Sequence, residues 1–178
     1  MMTLLERLQQ KKDAIVQRWL DDVLATYSPD AAAAFGRQKD RFANPVGHSL
    51  RVATRGIFEW LLEETDSEKI HEHLHEVIKI RAIQDFSVSD AVRFIFHLKK
   101  AVRAELGKAI RDGRHWSELT ELEEKIDQVA LAAFEIFVQC REQVYQLRVN
   151  EAKRSVSWVV DRINRRARDS EAAQSEVE

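Results

Sequence analysis

The chain is poor in the residues that break helices or tie strands together. It has one cysteine, two prolines and five glycines in 178 residues. The lone Cys140 excludes an internal disulfide and any zinc knuckle built from paired cysteines. So few turn-formers leave little punctuation for the short strands of a sheet protein. Charge of one sign is missing too: 28 Lys and Arg against 30 Asp and Glu leave a formal net charge of -2, which argues against a dedicated nucleic-acid binder. No apolar run reaches bilayer length, and the opening MMTLLERLQQKK lacks the apolar core of a signal peptide. The expectation is a soluble, cytoplasmic protein with no membrane insertion.

What is present is helical periodicity. Leu4, Leu8, Ile15, Trp19 and Val23 mark an amphipathic first helix ending near Tyr27. Ser28-Pro29 and Asn44-Pro45 each pair a capping side chain with a proline suited to the first helical position. From the second, Val46, Leu50, Ala53, Ile57 and Leu61 line one face, with His48 beside them. That histidine suits either an edge position bonded to a carbonyl or a ligand contact. Thr65 with Glu68 reads as a capping box for the next helix.

The stretch Val77 to Leu106 organises the rest. Its first half carries Val77, Ile78 and Ile80, and the helical turn places Arg81 in the middle of that apolar face with Asp85 one turn on. A lone charge there costs several kcal/mol to bury, so it must be paired or face a polar cavity. Ser87, with Asp90 three residues on, starts a second helix bearing Ala91, Phe94, Ile95, Leu98 and Val102. The pattern predicts a helical hairpin, with Arg81 and Asp85 as an ion pair or switch near its corner.

Two catalytic or cofactor readings arise from histidines. His71-Glu72-His73-Leu74-His75 matches H-E-x-x-H, which puts two zinc ligands on one helical face with a glutamate as base. No H-x-x-G-x-x-H extension follows, Glu105 is the one obvious third ligand, and no strand is predicted to hold substrate. His97, beside Phe94 and Phe96, raises the alternative of a haem sensor, as His71 and His75 raise that of a metal sensor. The preferred reading requires neither cofactor nor metal.

After Asp112-Gly113, Ser117 with Glu118 and Glu121 opens the longest helix. Leu119, Ile126, Ala133, Cys140 and Leu147 recur at intervals of seven, and Leu122, Val129 and Ile136 fall three residues after the first three. The seam predicts a homodimer interface, or else the central helix of a monomeric bundle. Phe134, Phe137, Val138 and Val144 widen the apolar surface beyond a two-helix seam. From Asn150 a thin stripe of Val156, Val159, Val160 and Ile163 runs among Lys153, Arg154, Arg162, Arg165, Arg166 and Arg168. That suits a pairing extension or a solvated basic face better than a phosphate site. The small, acidic end, DSEAAQSEVE, is expected to be disordered.

Three local patterns resemble one family. Arg41-Phe42-x-Asn44-Pro45-x-Gly47-His48, Arg81-Ala82-x-Gln84-Asp85-Phe86-Ser87 and Phe94-Ile95-Phe96-x-Leu98-Lys99-Lys100 are similar to the RsbRD-type amino-terminal domain of bacterial stressosome co-antagonists and some sensor kinases. The resemblance implies a dimeric, globin-like fold without haem, about six helices with a long last one, and a sensory rather than catalytic role. LRVNEAKR, Leu147 to Arg154, resembles the helix that leads into an output domain. Here no output domain follows, so the expectation is either a free-standing member, which would act through a protein partner, or an excised piece of a longer protein; the acidic tail fits a natural end better than a cut inside a linker. The expected layout is a sensor domain over 1–149, a helical extension over 150–168 and a disordered tail over 169–178. Ligand or switch candidates are Arg81, Asp85, His48 and Phe42.

Overall fold

The computed structural model describes residues 2–37, 40, 42–63, 67–84, 86–110, 113 and 115–175. Among these the chain is all-α: α1 (Leu4–Gln10), α2 (Lys12–Leu24), α3 (Pro29–Arg37), α4 (Pro45–Glu63), α5 (Ser67–Ile83), α6 (Val88–Leu106) and α7 (Trp116–Ser175). A 3-10 turn, Gly107–Ile110, follows α6. No strand occurs among the described residues, and the arrangement is consistent with a globin-like bundle. The expected Thr65 box, Asp112 and Asp85 lie outside the described residues.

The helix starts follow local chemistry. Thr3 and Glu6 form a reciprocal capping box on α1. Asn44 caps α4: its Oδ1 accepts the Gly47 N–H at 2.9 Å, while its Nδ2 donates to the Phe35 carbonyl at 2.9 Å. Ser87 caps α6, accepting the Asp90 N–H at 3.1 Å and donating to Asp90 Oδ2 at 2.6 Å. The first helix departs from its sequence pattern. Lys11 ends α1 and starts α2, so the apolar stripe runs through a break rather than one rod.

The chain separates into two compact units, Met1–Cys140 and Arg141–Glu178. In the first, α4 packs mainly on α5 and α2 mainly on α6. Trp19 is fully buried. Its indole lies parallel to Phe94 with centroids 6.1 Å apart and donates to the Phe94 carbonyl at 2.6 Å. Ion pairs stitch the rim: Arg55 to Asp13 at 3.0 Å, Lys99 to Asp127 at 2.7 Å, and Arg103 to Glu123 at 2.6 Å.

Most of the heptad seam faces the core. Leu119, Leu122, Ile126, Val129, Ala133, Ile136 and Cys140 are buried within this first unit. The helices of their own unit cover them. Leu147 alone of that set is open, 66% exposed. The wider apolar flank survives in part, since Leu131 is 63%, Phe134 49% and Val138 46% exposed.

In the second unit every described side chain from 145 to 166 is exposed. Local contacts there are within a turn: Arg141 lies 4.9 Å from the centroid of the Tyr145 ring, and Arg162 5.2 Å from that of Trp158. Helix is described as far as Ser175, past residue 169 where the sequence suggests a disordered tail.

Candidate functional site

Arg81 is the buried polar centre of the first unit. It stands in the last turn of α5 and has no exposed surface. Three rings enclose its guanidinium, with centroids 5.3 Å away for Tyr27, 5.0 Å for Phe86 and 5.0 Å for Phe94. Faces of this kind attract a desolvated cation. Nη1 donates to the Asp90 carbonyl at 2.9 Å and Nη2 to Thr26 Oγ1 at 3.1 Å. Nε has no hydrogen-bond partner among the described residues. Burial pulls the Arg81 pKa below its ordinary value, and Tyr27 and Asp90 act in the opposite direction. The Ser87 cap matters here, because it fixes the first turn of α6 whose Asp90 carbonyl receives Arg81.

A cavity of about 430 Å³ adjoins this centre, lined by Ala25, Thr26, Phe86, Asp90, Arg93 and His97. Arg93 pairs with Asp90 Oδ1 at 3.2 Å. His97 Nδ1 is buried without a partner among the described residues, and burial lowers the His97 pKa while Asp22 partly offsets that. A rim of Asp90 and Arg93 suits a hydrogen-bonding histidine; nothing in this lining favours a porphyrin.

A second, open groove of about 710 Å³ gathers His48, Ser49, Val52 and Ala53 of α4, His71, Glu72, His73, His75 and Glu76 of α5, and Ile136 and Gln139 of α7. Four histidines therefore share one surface. Among the described residues no three metal-ligating side chains converge to hold an ion. Glu105, the candidate third zincin ligand, is engaged instead by Arg18 at 2.7 Å. The H-E-x-x-H match thus lacks the preassembled three-ligand centre that zinc hydrolysis needs.

The sequence-predicted residues do not form one site. Arg81 lies at the corner of the α5–α6 hairpin and His48 in the separate groove. Phe42 is 93% exposed and lines neither cavity. Asp85, the expected ion-pair partner, lies outside the described residues; among the described residues Arg81 meets a carbonyl, a hydroxyl and three rings. Sequence reasoning missed Thr26 and Tyr27 as partners of Arg81. They are more than fifty positions away, and no local pattern links them.

The first unit is thus an all-helical bundle with a caged arginine at the corner of its α5–α6 hairpin. Comparison with known families shows which family this chain falls in. The RsbT co-antagonist protein rsbRD N-terminal domain matches residues 13–152, and the chain belongs to that family. No curated protein and no solved structure gives a significant match to the chain. No helix among the described residues is long and apolar enough to cross a membrane.

Proposed function

We propose that this chain is a non-catalytic sensory module of the bacterial stressosome type, which works in the cytoplasm as a homodimer and passes its signal by protein–protein contact. The family match supports the regulatory part of this reading. One observation carries the contact part: Leu131, Phe134 and Val138 stay open on successive turns of α7 while the seam behind them is sealed. Monomeric proteins seldom leave a contiguous apolar strip uncovered. Leu147 is a further candidate contact in the second unit.

The proposed switch is the packing of the α5–α6 corner around Arg81, with α7 as the element that carries the change outward. A signal can shift such an equilibrium only by binding one packing better than the other. Two measurements test the reading. Light scattering at micromolar concentration is expected to give twice the chain mass, and Phe134→Glu to give a folded monomer. A wild-type monomer would remove the dimer, and a dimer indifferent to Phe134→Glu and Val138→Glu would remove this face as its seat.

A further inference from the structure

Two features on α5 are left unused by a partner-binding role. His71 and His75 are both exposed, and their four-residue spacing stacks them on one face of the helix. Both open into the groove that His48 enters from the first turn of α4. Imidazole pairs at this spacing suit borderline divalent metals, which accept two nitrogens from adjacent turns and need further ligands from elsewhere.

The fourth histidine has another duty. A β-carbon at Gly56 would lie 2.2 Å from His73 Nε2, so the absence of a side chain in mid-α4 is what lets the His73 ring pack there. His73 is thereby a packing residue between α4 and α5, whereas His71, His75 and His48 remain for a ligand. Val52, Ala53 and Ile136 supply apolar lining beside them, which limits solvent access to one side of a bound ion. Glu72 and Glu76, also in the groove, bring negative charge that offsets a dication.

We propose that His71 and His75 grip one zinc, nickel or copper ion and that His48 turns across the groove as a third ligand, so that metal ties α4 to α5. Turning is required because no three ligands converge among the described residues as they stand. Solvent completes the coordination sphere, and no hydrolysis is implied. This regulatory site is independent of whether the chain dimerises.

The experiment uses full-length protein without an affinity tag, titrated with zinc chloride by calorimetry, and the visible spectrum of the cobalt form. One ion per chain is expected, with a cobalt spectrum of nitrogen-ligated low-coordinate metal and a zinc-dependent rise in melting temperature. His75→Ala should weaken binding by at least about tenfold, and His48→Gln by a smaller factor with a correspondingly smaller thermal shift. Glu72→Gln, which removes a nearby charge but no ligand, should weaken binding by a smaller factor than His75→Ala does. Circular dichroism of each metal-free variant shows that it is folded. Absence of uptake at millimolar zinc, or uptake that survives the His71→Ala, His75→Ala double variant, would overturn the site. Affinity and thermal shift unchanged in His48→Gln would overturn the bridge between helices.

Discussion

At the scale of the residue, Arg81 decides the most. A fully buried cation is tolerable because three ring faces, a carbonyl and a hydroxyl replace part of its hydration. Lysine keeps the charge but donates from a single nitrogen, so it cannot reproduce the planar fork that meets Asp90 and Thr26 from Nη1 and Nη2. We expect Arg81→Lys to lower unfolding free energy by about 1–3 kcal/mol, the usual cost of stranding a buried polar partner, read from urea denaturation. A loss below the error of the measurement would show that the cage is incidental. His97 gives a pH signature beside it. Its folded pKa is lowered, so the unfolded chain binds the proton more readily. Its contribution to stability is therefore complete above the ordinary histidine range and is lost as pH falls through that range. His97→Gln should flatten the melting temperature between about pH 7 and 5 relative to wild type. A slope identical to wild type would assign it to other groups.

At the scale of the element, side chains of Asn44 and α4 tie the end of α3 to the start of α4. Arg51 Nη2 donates to the Phe35 and Gly36 carbonyls at 2.6 and 2.9 Å, ending α3, while Asn44 starts α4 from the same Phe35 carbonyl. Gly47 must lack a side chain: a β-carbon would stand 2.2 Å from Asn44 Nδ2 and 2.7 Å from the Phe35 oxygen. Alanine would gain up to about 1 kcal/mol of helix propensity. Overpacking costs about 1–3 kcal/mol and loss of the cap about another 1 kcal/mol, so the clash wins. We expect Gly47→Ala to be net destabilising by about 1–2 kcal/mol in denaturant titration; a more stable variant would show that Asn44 is free to move aside. The same scale explains the seam. A heptad pattern records that a helical face is covered, not what covers it, and here the cover of Leu119 through Cys140 is the domain's own core.

At the scale of the whole compact unit, its first and last helices are clasped by one carboxylate. Glu118 accepts the Leu4 N–H at 2.8 Å on Oε2 and meets His115 Nδ1 at 3.1 Å on Oε1. The His115 contact, then that Leu4 N–H, holds the Glu118 pKa below its ordinary value. A depressed carboxylate stabilises the fold above the ordinary carboxylate range and loses that contribution as pH falls through it. Glu118→Gln should therefore narrow the gap in melting temperature between neutral and acidic buffer. An unchanged gap would mean that the clasp carries no pH-dependent stability.

Much of this was written locally. The Asn44-Pro45 and Ser87 starts, the apolar faces of α4 and α6, and the placing of Arg81 on a buried face depend on residues within a turn or two, where helical geometry alone sets the neighbours. The break at Lys11, the Thr26 and Tyr27 partners of Arg81, and the gathering of His48 with His71 and His75 depend on which helix lies against which. Sequence spacing therefore determined an all-helical chain with a charged residue set into an apolar hairpin. Only packing decided that rings and carbonyls receive that charge, and that the long seam faces inward, because both outcomes rest on contacts between segments far apart in the chain.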